Sequence, residues 1–449
     1  LPAGSLRVQR LGFVWATNAT DPVRTWPMPC PADVLAEQGG CWVADPLLPL
    51  LPNSSVFLPA GLTVALWVTF VAPTDPELLG STHSASLAIE GAEETIRFEL
   101  RIRAFALPLA PALKNTVQLD IAHLHRCFPS ATEEDTYRTY QDYALFALRE
   151  LRLNPGSIYD GWRKPGPAPC RFTDYQSCFN TSAAQLAKWV REEGLNAFTI
   201  PSGPQNQTQP FVEELRKHNI SHLASFYSFD GELERFVERR CLPLLKHGVW
   251  TTEYSGPFSA IASEFAPLKK LYPEVTTLTT AHIGKQYGGL VKAPLPFTAA
   301  ALRNLSIDAV TPQTNYLPPK PNITETQAGG RQVWTYISVQ PYKPWQDWRL
   351  DNPLIDARAL FWTISAFGFD GLLHWGLNQW GGDSSLHPIA ENITDGFVAQ
   401  SAWNMATSPG SWMHGDGKLL YCGQAGPIAS SRLANVRDGQ DDYDYIELL

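Results

Sequence analysis

Ala197-Phe198-Thr199-Ile200 reads as a short apolar strand, the amphipathic stretch Gln209 to His218 as a helix, and His222-Leu223-Ala224-Ser225-Phe226-Tyr227 as a second strand. A strand, a helix and a strand in such close succession form a βαβ unit, whose two strands lie parallel. Working outward, the same unit recurs. Before it stand the strand Val117 to Ala122 and the helix Asp135 to Arg152, whose Tyr137, Tyr140, Tyr143, Ala144, Ala147 and Leu148 fall on one apolar face. After it come helix Leu233 to His247, a strand near Trp250, helix Ala260 to Leu271 and strand Thr276 to Thr280. Strands Ala309 to Pro312, Val333 to Ile337 and Gly371 to Trp375 complete the series, with helix Leu354 to Phe367 before the last. Seven or eight such units predict a (β/α)8 TIM-type barrel over residues 113–449. No Gly-X-Gly-X-X-Gly or phosphate loop follows any of these strands, which removes support for a nucleotide-binding fold.

Residues 1–112 have a different period. Leu6 to Thr17, Val56 to Ala72 and Ser84 to Phe105 are rich in Val, Leu, Thr and Phe and are broken by Pro and Gly. Ile96 to Arg103 alternates apolar with charged residues, the pattern of a strand with one buried face. A β-sandwich is expected here, ending at the Pro-rich connector Leu107-Pro108-Leu109-Ala110-Pro111-Ala112.

The chain has 449 residues and a formal charge of −9, with 18% of residues charged, fewer than soluble domains usually carry. It also holds 15 Trp, 15 Tyr, 21 Phe and 37 Pro. The acidic balance supplies no basic stripe for nucleic acid. No apolar run is long enough for a membrane span, the richest being Leu62 to Val71. Eight Asn-X-Ser/Thr sequons, at Asn18, Asn53, Asn180, Asn206, Asn219, Asn304, Asn322 and Asn392, predict N-linked glycans that would hydrate a charge-poor surface. The seven cysteines agree with an oxidising compartment: Cys30 with Cys41 and Cys170 with Cys178 would close short disulfide loops. Cys127 with Cys241 is a further pairing that local spacing does not single out. An odd count leaves one thiol free or bonded to another chain. The start at Leu1-Pro2-Ala3-Gly4 is expected for a processed, extracellular form. No Cys or His cluster suggests a metal, and no cofactor is expected.

Barrels gather reactive groups at the carboxyl ends of their strands. Those ends carry Asp120 and His123, Tyr159 and Asp160, Asp230 and Glu232, Glu253, His282, Gln313 to Tyr316, Tyr336, and His374 to Trp380. Carboxylates among aromatic rings suit a carbohydrate, whose apolar face packs on a ring while acids and amides hold its hydroxyls.

Gly415-Asp416-Gly417-Lys418-Leu419-Leu420-Tyr421, followed by Ser431-Arg432-Leu433-Ala434-Asn435-Val436-Arg437-Asp438-Gly439-Gln440-Asp441-Asp442-Tyr443-Asp444-Tyr445, resembles the closing signature of glycoside hydrolase family 123. Gly368 to Gly376, Arg358 to Trp362, Tyr272-Pro273 to Thr280, Leu66-Trp67-Val68-Thr69 and Phe105-Ala106-Leu107-Pro108 extend the likeness over nearly the whole chain. The resemblance implies a β-sandwich before a catalytic barrel and an exo-acting β-N-acetylgalactosaminidase activity on glycans. It also implies substrate-assisted catalysis, in which the sugar's acetamido oxygen attacks the anomeric carbon, an Asp steadies that group and the next Glu protonates the leaving oxygen. By position, Glu253 fills the acid's place, while Thr252 stands where the family has Asp. Asp230-Gly231-Glu232 is the rival site, about one helical unit earlier. Substrate contacts carried over are Tyr316, Trp375, Asn378 and Trp380. Because Thr252 cannot supply charge, a weakly active or inactive glycan-binding glycoprotein is the alternative.

Overall fold

The computed structural model describes residues 5–17, 40–50, 63–73, 75–88, 95–156, 181–200, 205–227, 255–280, 298–316, 319–338, 341–380, 387–390, 395–398 and 414–449, together with 56 and 393. At the N-terminus, β1 (Leu6–Thr17) runs antiparallel between β2 (Gly40–Pro49) and β3 (Leu66–Phe70). A separate hairpin pairs β4 (Thr82–Ala88) with β5 (Thr95–Arg101). The alternation expected in β5 is present, with Phe98 and Leu100 half-buried between exposed neighbours, although Ile96 remains 48% exposed. Along β1 and β2 the inward Val14, Ala16, Val43 and Leu48 pack on Leu350, Ile389, Val398, Tyr421 and Ile428. The N-terminal sheet therefore shares its core with segments that follow the connector at Ala112.

The rest is a parallel barrel of β6 (Lys114–Gln118), β7 (Pro155–Gly156), β8 (Phe198–Ile200), β9 (Ala224–Tyr227), β10 (Thr276–Thr279), β11 (Ala309–Val310), β12 (Gln332–Ile337) and β13 (Gly371–His374). Their order is β7-β6-β13-β12-β11-β10-β9-β8, nearly a closed ring. Two departures from the sequence reading matter. First, β7 is a two-residue Pro-Gly strand, which no propensity reading would propose. Gly156 is needed there because the hydroxyls of Thr116 and Thr199 occupy the space of a Cβ. That contact also brings the two ends of the open ring, β7 and β8, together. Second, β9 and β10 hydrogen-bond directly, with Tyr227 opposite Leu278. The strand expected near Trp250 lies outside the described residues.

Helices cover the barrel for ordinary reasons of capping and apolar facing. Glu133–Leu151 starts with a Thr132/Asp135 capping box and buries Tyr140, Tyr143, Ala144, Ala147 and Leu148, the face read from the sequence. The final helix, Ser431–Leu448, follows the hairpin of β14 (Leu420–Gly423) and β15 (Gly426–Ala429). It is anchored by charge more than by an apolar stripe. Arg432 is 3% exposed, and all five of its N–H groups are used. Nε and Nη2 donate to the two Asp45 oxygens at 3.0 and 2.8 Å; Nη1 donates to the Trp348 and Gly415 carbonyls, and Nη2 also to that of Lys418. Asp45, in β2, accepts as well from the Tyr421 and Ser431 hydroxyls. Further along, Arg152 pairs with Asp444, and Arg358 and the Trp362 indole N–H bind Asp442. Gly439 passes so close to Phe361 and the Arg358 backbone that a side chain would not fit.

A disulfide joins Cys127, which ends helix Ile121–Cys127, to Cys422 in β14, with Cα atoms 6.6 Å apart. Cys127 is thus not available to Cys241. Partners 295 residues apart could not be matched by local spacing. Cys30, Cys170, Cys178 and Cys241 lie outside the described residues, as does the side chain of Cys41.

Breaking the buried pair from one side should be costly, because the remaining charge has no water to turn to. We expect Arg432→Met and Asp45→Ala each to lower unfolding free energy by about 3–5 kcal/mol. The double variant should lose clearly less than the sum, as measured by denaturant unfolding of all four proteins.

Candidate active site

Side chains of a barrel strand alternate between the interior and the helical layer, so parity sorts the strand ends. The interior cluster contains Tyr227, Leu278, Ala309, Trp334, Tyr336 and Leu373. Continuing that parity to the carboxyl ends adds Thr280 after Leu278, Thr311 after Ala309 and Trp375 after Leu373. Thr116 faces Gly156 across the interior, which gives Gln118 the same parity in β6. The Tyr227 and Thr280 hydroxyls are 3.4 Å apart. Gln118, Tyr227, Thr280 and Thr311 are buried, Tyr336 is 9% exposed, and Trp375 is half-buried. The mouth is thus lined by hydroxyls, an amide and aromatic rings.

Trp375 is held from below. Its indole N–H donates to Asp416 Oδ1 at 2.8 Å. Gly417, at φ +68°, lies under the ring, where a Cβ would stand 2.6 Å from Cζ2. Asp416 belongs to a buried charged group with Asp347, Arg349 and Lys418. Burial pushes the Asp416 carboxyl up to about 6, opposed by the Trp375 hydrogen bond and then by Arg349 and Arg432. Burial likewise pushes Asp347 up to about 8, against the Arg349 guanidinium 2.7 Å away, and the charge of Asp416 adds to the rise. Lys418 is driven down to about 8 by burial, with Asp416 opposing.

The other expected residues divide. Asn378 is buried and both ends of its amide bind backbone: Nδ2 donates to the Asp120 carbonyl and Oδ1 accepts the Asp120 N–H, each at 2.9 Å. It joins the segments that follow β13 and β6. Trp380, 3% exposed, donates to the Leu420 carbonyl and meets Tyr143 edge-on in the main core. Both are expected sugar contacts from sequence; in the structure their side-chain polar groups make these internal bonds. His374 has outward parity, sits edge-on to Trp348 at 4.7 Å and bonds the Ile337 carbonyl through Nδ1. Burial holds its pKa down to about 4, so the ring is neutral. Asp120 caps helix Ile121–Cys127 by accepting the Ala122 N–H, and its other oxygen is 3.6 Å from His123 Nε2. Tyr316 ends the turn Thr314–Tyr316 that follows β11. Glu253, Thr252, Asp230, Glu232, Tyr159, Asp160 and His282 lie outside the described residues. Among the described residues no cluster of three His, Cys, Asp or Glu could hold a metal ion, and no helix is long and apolar enough to cross a membrane. Asp416, Asp347 and the Tyr227–Thr280 pair were not singled out in sequence; strand parity was the signal that could have found the last.

Residues 288–449 match the family model "Glycoside hydrolase 123, catalytic domain". The resemblance is to glycoside hydrolase family 123. A solved family 123 glycoside hydrolase from Clostridium perfringens, studied for glycolipid glycan hydrolysis, shares the fold with a TM-score of 0.64 at 10% identity, over 100% of this chain and 77% of that one. Weaker likenesses include a glycosylated endo-β-1,4-xylanase from Gloeophyllum trabeum (TM-score 0.33, 12% identity, 60% of this chain and 86% of that one). A glucosidase from Croceicoccus marinus is comparable (TM-score 0.32, 11% identity, 75% and 68%). No curated protein sequence matches. The stretch that resembles the family 123 signature is mostly scaffold: Arg432, Gly439, Asp442 and Asp444 pin the last helix, while Gly415, Asp416 and Gly417 shape the turn beneath Trp375.

Gly417→Ala tests that turn. A Cβ at this φ is strained and meets the indole, so we expect about 1–2 kcal/mol of destabilisation. The Trp375 indole N–H resonance should move, read by nitrogen-edited NMR against the wild type.

Proposed function

We propose that this chain is a secreted glycoside hydrolase of the family 123 type, removing a terminal N-acetylhexosamine or related sugar from glycans, with Glu253 as general acid. The observation that carries the reading is the set of inward-parity strand ends, which bring a half-buried indole, Trp375, together with the hydroxyls of Tyr227, Thr280 and Thr311, with the family match behind it. A sugar needs both: an apolar surface for its C–H face and polar groups for its hydroxyls.

The acid assignment rests on the position of Glu253 in the family resemblance, with Glu232 as its rival. In sequence, Asp230, Glu232, Thr252 and Glu253 all fall between β9 and the helix Ser255–Leu271 that precedes β10. In the proposed reaction the acetamido oxygen attacks the anomeric carbon, and the bond to the leaving oxygen breaks as Glu253 protonates it. Thr252 can accept a hydrogen bond from the acetamido N–H but offers no charge to the developing oxazolinium. Missing electrostatic help of this kind commonly costs about 3 kcal/mol, on the order of a hundredfold in rate. Thr252 also favours the second reading, a glycan-binding glycoprotein with little or no turnover.

Chromogenic N-acetyl-β-galactosaminide, N-acetyl-β-glucosaminide and plain β-glycosides distinguish the two. We expect slow hydrolysis of an N-acetylhexosaminide, a loss of about a hundredfold or more in Glu253→Gln, and a gain in Thr252→Asp. Activity that survives Glu253→Gln but not Glu232→Gln moves the acid to Glu232. No turnover by the wild type, with sugar binding retained, selects the second reading.

Secretion is part of the proposal. Three sequon asparagines, Asn219, Asn304 and Asn322, are exposed on the described surface, and the Cys127–Cys422 bond suits an oxidising compartment. Expressed through a eukaryotic secretory pathway, the protein should lose mass on enzymatic removal of N-glycans, and substitution of these three Asn by Gln should reduce that loss.

A further inference from the structure

Among the described residues, two neighbours of the Trp375 ring, Asp416 and Gly417, come from one turn, Gly415 to Lys418. Asp416 is 7% exposed; its Oδ1 takes the indole N–H, and its Oδ2 has no hydrogen-bond partner among the described residues. The Gly417 backbone floors the ring, with a would-be Cβ at 2.6, 2.8 and 3.0 Å from Cζ2, Cη2 and Cε2. The turn itself is fastened from outside, since the Gly415 and Lys418 carbonyls on either side of Asp416 both accept from Arg432. An indole bonded at its N–H and floored by backbone cannot change tilt without breaking the bond or striking the turn. A stacking surface is effective when its plane is fixed before the ligand arrives.

We propose that Asp416 is a positioning residue: through the Trp375 N–H it fixes the indole plane against which a pyranose ring packs, and its carboxylate form is the one that does so. The inference deepens the glycosidase reading and rests on it. A bond from N–H to a carboxylate is roughly twice as strong as one to a neutral acceptor. The charged groups around Asp416 are Arg349 and Asp347 from the segment after β12, Arg432 from the last helix and Lys418 from its own turn; His374, at the end of β13, is neutral. With the Asp416 carboxyl at about 6, acidification through that value replaces the carboxylate by a neutral acid and weakens the hold on the ring. Affinity for sugar should therefore fall as pH drops through this window and be restored above it.

The test uses the full chain, the variants Asp416→Leu, Asp416→Asn and Trp375→Phe, and the double variant Trp375→Phe/Asp416→Leu. KM and kcat are measured on the chromogenic N-acetyl-β-hexosaminides, and the Kd of free N-acetylgalactosamine and N-acetylglucosamine by calorimetry, below and above about pH 6. Asp416→Leu should raise KM and Kd about tenfold while kcat stays within about threefold. Asp416→Asn, whose amide oxygen still accepts the N–H, should bind about two- to threefold more weakly at high pH and lose the wild type's pH dependence of affinity. In the Trp375→Phe background, Asp416→Leu should do no further harm. If Asp416→Leu does not fold, the pH profile of Asp416→Asn decides. Wild-type affinity in the Leu variant, an unchanged pH profile in the Asn variant, or an equal penalty with and without the indole N–H would overturn the proposal alone. A wild type that neither hydrolyses nor binds any of these sugars overturns the glycosidase reading and this inference together.

Discussion

The structure depends on the ion pair between Asp45 and Arg432. One partner sits on a strand near the start of the chain and the other opens its last helix. Because the guanidinium also binds the carbonyls of Trp348, Gly415 and Lys418, one side chain fixes the N-terminal sheet, the segment after β12, the turn below Trp375 and the final helix relative to one another. A buried pair of this kind adds little net stability over a well-packed apolar alternative, because both ions must be stripped of water. Its value here is directional. Five N–H vectors in a rigid plane accept few other arrangements of the segments that meet them.

That arrangement explains why the closing part of the sequence carries so recognisable a pattern although few of its residues approach the barrel mouth. Arg432, Gly439, Asp442 and Asp444 are each tied to a partner far away in sequence, so their identities are constrained by geometry. The proposed chemistry resides elsewhere, at the carboxyl ends of the strands. Asp416 joins the two regions, placed by the scaffold and bonded to the Trp375 indole.

Much of the architecture was legible in sequence because it rests on period. The change from alternating residues before Ala112 to strand-helix repeats after it announces sheets and then a barrel, and the apolar face of helix Glu133–Leu151 is the one its spacing foretells. What could not be read lacks a local signal. Pro155-Gly156 is too short to show a pattern and is a strand by its pairing with β6, with Gly at 156 because Thr116 and Thr199 leave no room for a side chain. At the candidate site, composition marks a neighbourhood without sorting its residues. Trp375 and Trp380 lie five residues apart in the same Trp-rich segment, but one continues the inward parity of β13 and the other turns into the core beside Tyr143. Asn378 has the chemistry of a sugar ligand and is occupied in joining two loops. A residue's type states what bonds it can make, and the fold decides with whom.

The bond between Cys127 and Cys422 gives the chain a topology as well as a staple. It converts seven of the eight barrel strands, together with their connections, into one covalent ring, leaving outside it β6, the N-terminal sheets and the closing helix. A protease that cuts a connection inside that ring produces no separate fragments, since both sides of the cut remain linked. Such a molecule can be nicked once within the ring and still remain one body.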